Sequence, residues 1–202
     1  LNGEASTIIT TSNITLINGI DTLTSVNVMG DDSWNIIEED NYARMNGWGG
    51  DYDEEDWLIF PAINLDNYTQ EILSLYYESR FPDPSVTGLE IFYSNNYQLN
   101  PSSANWEEFA SANSELDSNK STGYSETDLY NLEVDLSGIA GASVTVGIKY
   151  TSIDQDPNYA RRWQVAYPTI TATETTSVTV GGDEVVEDNI SFYRLRANNL
   201  RF

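Results

Sequence analysis

Closely spaced carboxylates are the reactive groups that this sequence concentrates most. They occur in two runs, Asp51-Tyr-Asp-Glu-Glu-Asp56 and Asp154-Gln-Asp-Pro-Asn158. Neighbouring carboxylates repel one another unless a cation neutralises them, and calcium accepts about six to eight such oxygens. The first run predicts a calcium site or, with equal weight, a solubilising acidic loop, and the second run favours the solubilising loop. The ligands predicted for calcium are Asp51, Asp53, Glu55 and Asp56.

Neither run is an EF-hand loop. That motif requires glycine at its sixth position and glutamate at its twelfth. Counted from Asp51, these positions hold Asp56 and Ala62, and the second run lacks both required residues as well. A calcium site in this chain must therefore have another geometry.

The missing residue types limit catalysis. The chain has no Cys and no His, which excludes disulfides, thiolate nucleophiles, Cys/His zinc sites and an imidazole base. A glycosidase could still use a carboxylate pair, with groups about 5 Å or about 6.5–9.5 Å apart. Its catalytic acid needs a raised pKa, usually from apolar burial, and no carboxylate stands isolated in an apolar run. We expect no enzymatic activity, with a carboxylate-pair glycoside hydrolase as the less favoured alternative.

The charge excludes two classes of partner. Nine basic and 32 acidic residues give a net charge of −23, and this field repels nucleic acid and anionic lipid headgroups. No window of about 18 apolar residues and no signal-peptide pattern occurs. We expect a soluble chain that neither binds nucleic acid nor inserts into a membrane, in keeping with a mature fragment whose export signal has been removed.

The elements that position these groups are predicted to be strands. The chain has 13 Tyr and 5 Trp, and apolar residues alternate with polar ones at intervals typical of an antiparallel sandwich. The fold class predicted is all-β, a jelly-roll sandwich without a helix, with residues 111–124 as a loop. The strands predicted after an extended lead-in are 57–63, 72–77, 89–93, 106–109, 132–136, 144–150, 163–167 and 177–180.

The length of 202 residues is predicted to form one domain, 1–202. The tail 173–202 could complete the sandwich, pair with an edge or begin a linker, and we favour its belonging to the domain. Strand position predicts that Trp34, Trp57 and Trp163 pack in the core.

Three segments resemble a known family. Gly30–Trp34, Tyr42–Trp48 and Glu55–Leu65, together with the later strand Val146–Tyr150 and Trp163-Gln-Val, are similar to the choice-of-anchor J or cleaved-adhesin type of jelly-roll domain over about residues 20–172. The resemblance implies a secreted, often calcium-bearing sandwich of bacterial adhesins, exported enzymes and surface glycan-binding proteins. Members often carry an aspartate where this chain has Ala166, so a role of that carboxylate does not carry over.

Alternating strand directions would bring four loops to one end of the sandwich: 46–56, 79–88, 111–124 and 152–162. We name this end the crown. Its aromatic rings could stack on sugar rings while its polar groups bind hydroxyls. Trp106, which follows a Pro-Ser-Ser-Ala-Asn turn, is a further candidate outside these loops. The ligand-binding residues predicted are Trp48, Tyr52, Arg80, Trp106, Tyr124, Tyr159, Arg161 and Arg162.

The function predicted is a non-catalytic carbohydrate-binding module that binds a neutral or weakly charged polysaccharide. With the resemblance, this implies an extracellular or outer-membrane location in a Gram-negative bacterium, and neighbouring modules of a larger surface protein as partners. The alternative is a structural or adhesive spacer that binds no small ligand.

Overall fold

The chain folds into two antiparallel β-sheets that pack face to face, as the computed structural model shows for residues 6–47, 53–83, 88–153, 160–180 and 185–186. The strands are β1 Ser6–Asn18, β2 Thr24–Met29, β3 Asn35–Ile37, β4 Tyr42–Met45, β5 Glu54–Ile59, β6 Tyr68–Arg80, β7 Leu89–Ser94, β8 Glu107–Glu108, β9 Tyr130–Asp135, β10 Thr145–Ser152, β11 Arg162–Val180 and β12 Val185–Val186. The helices are α1 Ala110–Asn119 and the 3-10 turns Ile20–Thr22, Glu38–Asp40 and Pro101–Ser103.

The larger sheet has seven strands in the order β3-β4-β11-β6-β9, with β1 and β12 also paired to β11. The smaller sheet has five, in the order β2-β5-β10-β7-β8. The predicted all-β antiparallel sandwich is confirmed. Among the described residues, no helix combines the length and apolarity needed to cross a membrane.

Alternation along the strands builds the core. In β9, Leu132 and Val134 are buried while Glu133 and Asp135 are exposed, because successive side chains of a strand point to opposite sheet faces. Inward residues of both sheets meet in one cluster, which includes Trp34 and Trp163 as predicted; further members are Leu58, Leu73, Ile91, Ile148 and Val165.

The helix α1 lies where the sequence predicted a loop, so that prediction is wrong. Only Ala112 and Leu116 of this helix are buried, which leaves too short an apolar pattern to reveal a helix. Tertiary contacts hold it: the Asn113 side chain accepts a hydrogen bond from the Ile91 amide at 2.7 Å and donates one to its carbonyl at 3.3 Å.

The strand β11 is longer than the sequence indicated. Residues 163–167 and 177–180 were predicted as separate strands, but both belong to this one continuous element. Its second half pairs with β1, from Thr169 opposite Asn18 to Val180 opposite Ser6.

Strand register defines the crown. Strands β2, β4, β6 and β10 end there and β5, β7, β9 and β11 begin there, as the pairs Met29 with Glu55, Ser152 with Glu54, and Arg80 with Arg162 indicate. The chain therefore leaves the sandwich at this end after Met29, Met45, Arg80 and Ser152, and enters it again there at Glu54, Leu89, Tyr130 and Arg162.

Candidate functional site

Three of the predicted binding residues come together at the crown. Arg80 donates from Nε to the Tyr124 carbonyl oxygen at 2.9 Å. The Arg162 guanidinium lies 2.5 Å from Glu126 and 3.6 Å from Glu78, and Arg80 lies 3.8 Å from Glu126. The Arg162 hydrogen bond lowers the pKa of Glu126. We call Arg80, Arg162, Glu78 and Glu126 the arginine cluster; its carboxylates lie within ion-pair distance of both guanidinium groups.

Two aromatic rings border this cluster. Tyr124 is 66 % exposed and meets Phe81 edge to face, with ring centroids 6.4 Å apart. The Arg80 guanidinium carbon lies 4.7 Å from the Phe81 ring centre. The rings therefore lie directly beside hydrogen-bond donors.

A shallow groove of about 450 Å³ runs beside these residues. It is lined by residues 118–127 and Tyr130, and we call it the crown groove. Hydroxyl, amide and backbone groups form most of its wall, whereas Tyr124 and Tyr130 supply aromatic surface. Such a mixed lining can hydrogen-bond hydroxyls and stack on rings.

The third arginine of the prediction has a different environment. Arg161 is 2 % exposed, and its Nη2 donates to the Asp83 carbonyl oxygen at 2.8 Å. Its own carbonyl accepts a hydrogen bond from the Tyr150 hydroxyl at 2.9 Å. Burial lowers the pKa of Arg161, and the nearby Asp83 carboxylate opposes this change. Arg161 thus joins two crown loops from within and does not present its guanidinium to the groove.

Several predicted residues lie outside the described part of the chain. These are Trp48, Asp51, Tyr52 and Tyr159, together with the acidic run 154–158. The crown groove and arginine cluster are therefore built here from the described residues alone.

The first acidic run divides between two sheet faces. Asp56 is fully buried on the inner face of β5, whereas Glu55, on the outer face, accepts a hydrogen bond from Trp57 Nε1 at 2.9 Å. Adjacent strand residues cannot reach the same ion, so Glu55 does not fit as a ligand alongside Asp56. Glu54 shares the inner face with Asp56, as the two-residue period of a strand indicates, so Glu54 fits the donor set better than Glu55.

Asp56 is the most perturbed acid of the site. Both of its carboxylate oxygens are buried, and neither has a hydrogen-bond partner among the residues that the structure describes. Burial, and secondly the charge of Glu54, raise the pKa of Asp56 to about 8. Near neutral pH this carboxyl would hold a proton unless a cation compensated its charge.

Glu54 is held by the loop that follows β2. Its carboxylate accepts hydrogen bonds from the amides of Asp31 at 3.1 Å and Asp32 at 3.3 Å. Burial nevertheless raises its pKa, as burial raises that of Asp32. Gly30 has φ +95°, and a Cβ there would lie 2.0 Å from Glu54 Oε2. The loop thus requires glycine to bring its amides to the carboxylate.

The buried carboxylate and amide oxygens at the crown are ligands of the type that a hard cation binds. Asn46 contributes a buried amide oxygen that accepts no hydrogen bond from the described part of the chain. Its neighbour Gly47 lies against Glu54, whose Cγ is 3.1 Å from a Cβ built on that glycine. Calcium prefers such oxygen ligands. Over the described ranges, however, no three acidic side chains already form a metal-ligand group. The fit rests on Glu54, Asp56 and Asn46; Asp53 is exposed beside Gly30 and Asp31.

Trp57 and Trp106 form a separate aromatic cluster on the outer face of the smaller sheet. Their rings stack with centroids 4.5 Å apart, above Gly147, where a Cβ would lie about 3 Å from both rings. Trp57 is 4 % exposed, so its predicted burial is confirmed, but it packs beneath Trp106 and lies outside the cluster between the sheets. Trp106, half-buried, donates to the Pro101 carbonyl oxygen at 2.9 Å; it covers Trp57 away from the crown.

Comparison with solved structures finds the same type of sandwich elsewhere. The K3 cleaved adhesin domain of Lys-gingipain from Porphyromonas gingivalis W83 is 12 % identical, with a TM-score of 0.51 over 78 % of this chain and 98 % of that domain. The K1 cleaved adhesin domain of Lys-gingipain is 13 % identical, with a TM-score of 0.43 over 80 % of this chain and 97 % of that domain. A basic winged bean lectin with Tn-antigen is 12 % identical, with a TM-score of 0.44 over 82 % of this chain and 98 % of the lectin.

The likeness to the K3 domain shows a shared fold. No family model matches the chain, and no curated protein matches it.

Proposed function

We propose that this chain is a non-catalytic carbohydrate-binding module that binds a neutral or weakly charged polysaccharide at the crown. The observation that carries the proposal is the arginine cluster beside the exposed ring of Tyr124 and the half-buried ring of Phe81, at the rim of the crown groove. Rings and fixed donors in one open groove are the groups that bind a sugar chain. The shared fold with a cleaved adhesin domain supports a choice-of-anchor J or cleaved-adhesin type of module.

Binding follows from contacts that are individually weak. The Tyr124 ring stacks on the C–H face of a sugar ring, while Arg80 and Arg162 donate hydrogen bonds to hydroxyl or ring oxygens. Because Glu78 and Glu126 already hold these arginines, little side-chain entropy is lost on binding. The net charge of −23 disfavours sulfated or uronate-rich chains.

Calcium at the crown is the second part of this proposal. Glu54, Asp56 and Asn46 would hold it, with Asp51 and Asp53 of the original prediction as further ligands. A bound calcium would supply the positive charge that lets buried Asp56 ionise. The Glu54 carboxylate also holds the start of β5 against the loop at Gly30, and this contact fixes the base of the crown.

We place the module in a secreted or surface protein, next to other modules. The K3 domain, which is a cleaved adhesin domain of a bacterial protein, supports this setting. Several modules in one protein would raise the avidity for a repeating polysaccharide without a new contact.

Affinity electrophoresis against a panel of neutral, uronate-containing and sulfated polysaccharides tests the proposal. The parent should be retarded by at least one neutral glycan, and Tyr124→Ala should restore free mobility. Tyr167→Ala is the matched control, since Tyr167 is 50 % exposed on β11 away from the crown. Trp48→Ala and Trp106→Ala extend the test to the remaining predicted rings.

Two outcomes would contradict the proposal. An unretarded parent across the whole panel would favour the structural or adhesive spacer. Release of reducing ends from a retarded glycan would favour the carboxylate-pair glycosidase.

A further inference from the structure

The strand β1 leaves one edge open. In the described part of the chain it pairs only with β11, so its other edge has no strand partner. The strand Ser6–Asn18 contains no charged residue, proline or glycine, and its 13 residues span roughly 43 Å. Proteins usually protect an edge strand with lysine, proline, a bulge or a cover. Over residues 6–13, the described part of the chain places none of these devices on this edge.

The outer part of this strand pair also stands free of the sandwich. We call residues 6–13 and 173–180 the ribbon. All eight β1 residues of the ribbon are exposed, and Glu174 is its single charged residue. The pairing of β11 with β6 ends at Glu174 opposite Tyr68. Residues 175–180 continue beyond that point, roughly 20 Å at the usual rise of a strand.

The exposed side chains favour pairing with another strand. Thr7-Ile-Ile-Thr-Thr11 is a run of five β-branched residues, the type most favourable in strands. Ile8 is 57 % and Ile9 is 66 % exposed. A β-strand partner would satisfy the open backbone groups and cover part of both isoleucines.

The charge distribution favours a second copy of this chain as the partner that pairs with β1. Two copies of a chain with a net charge of −23 repel each other, but the ribbon is almost neutral. If two ribbons pair antiparallel about Ile9, the charged sandwiches stay roughly 20 Å apart, more than twice the screening length of about 8 Å at physiological salt. In this register Thr7 faces Thr11 of the second copy and Ile9 faces its equivalent, pairs that suit a sheet.

We propose that the chain forms a two-fold symmetric homodimer in which the β1 edges of two copies pair antiparallel near Ile9. The two ribbons then form one continuous sheet, in which β12 of each copy pairs with β11 at Thr179 and Val180, and the interface is isologous. The ribbon leaves the sandwich opposite the crown, so the two crowns lie at the far ends of the dimer. If the proposed polysaccharide function holds, the dimer is bivalent.

Sedimentation equilibrium of the full chain tests the dimer directly. The monomer mass is 22.6 kDa, so a dimer has about twice that mass. The dimer fraction should rise with protein concentration and with NaCl between roughly 0.05 and 0.5 M, since salt screens the repulsion of the sandwiches. Ile9→Lys sets two like charges opposite each other and should shift the mass to that of the monomer.

Thr175→Lys is the matched control, because it adds the same charge on β11, the inner strand of the ribbon, and should leave the dimer. Far-UV circular dichroism checks that both variants fold. Ile9→Cys gives an independent reading in a chain without other cysteines. A short bis-maleimide should link this variant into a dimer and leave Thr175→Cys unlinked.

A monomer at every concentration and salt level would overturn the proposal, as would a dimer that Ile9→Lys leaves intact. A monomer that dimerises only after removal of residues 187–202 would assign the edge to that segment and overturn it too. None of these measurements involves a glycan, so failure of the dimer is distinguishable from failure of the polysaccharide function.

Discussion

Replacing the buried Asp56 by asparagine should stabilise the calcium-free protein at pH 8. Burial raises the pKa of Asp56 from 3.8 to about 8, so between these values the folded state binds more protons than the unfolded state. The free energy of unfolding therefore falls as pH rises from about 4 to about 8. At about 1.4 kcal/mol per pKa unit, the loss is at most roughly 5 to 6 kcal/mol. Asp56→Asn keeps the shape of the side chain and removes this penalty.

Urea unfolding followed by tryptophan fluorescence measures the effect at pH 5 and pH 8, with a chelator present. The variant should exceed the parent in stability at pH 8 by several kcal/mol and differ much less at pH 5. Glu108→Gln, an exposed acid on β8, is the matched control for loss of one negative charge. A variant less stable than the parent at pH 8, or a parent equally stable at both pH values relative to the control, would refute the reasoning.

Calcium should narrow the stability difference between the parent and Asp56→Asn at pH 8. An ion that binds only the folded state adds about 2.7 kcal/mol at one hundred times its dissociation constant. The parent should gain this stability and Asp56→Asn should gain little, since it lacks the charged ligand. Equal gains in both proteins, or no gain in the parent, would remove the calcium proposal.

Three further substitutions test the surroundings of the site and the fold, each by urea unfolding. Gly30→Ala should cost about 1–3 kcal/mol, because φ is +95° and the new Cβ meets Glu54; an unchanged stability would mean that the loop relaxes freely. Trp106→Ala should cost about 1–2 kcal/mol through the lost stack on Trp57, and no loss would contradict a packing role. Leu116→Ala should cost about 2–5 kcal/mol, since Leu116 is fully buried; a loss below 1 kcal/mol would contradict the docked helix.

The regular strands were predictable because apolar and polar residues alternate along them in the sequence. Leu132 and Val134 against Glu133 and Asp135 gave both the element and its buried face. The helix α1 was not predictable in this way, since two apolar residues in a polar segment do not make a period.

The sequence predicted where the candidate site lies, but only some of the residues that form it. Loops at one end followed from strand alternation, which brought Arg80, Tyr124 and Arg162 together. The orientation of Trp57 could not be inferred, because a run of apolar residues has no period that distinguishes its two faces. The burial of Arg161 depends on a carbonyl of a different loop, at Asp83, and no local pattern encodes such a contact.

The most direct measurement of the central claim is an NMR titration of the protein with an oligosaccharide of the glycan that retards it. The side-chain Nε–H signals of Arg80 and Arg162 and the backbone amides of residues 118–130 should shift together. The indole Nε1–H signals of Trp57 and Trp106, on the outer face of the smaller sheet, should not shift. Shifts confined to the Trp57 and Trp106 cluster, or none at saturating sugar, would contradict binding at the crown.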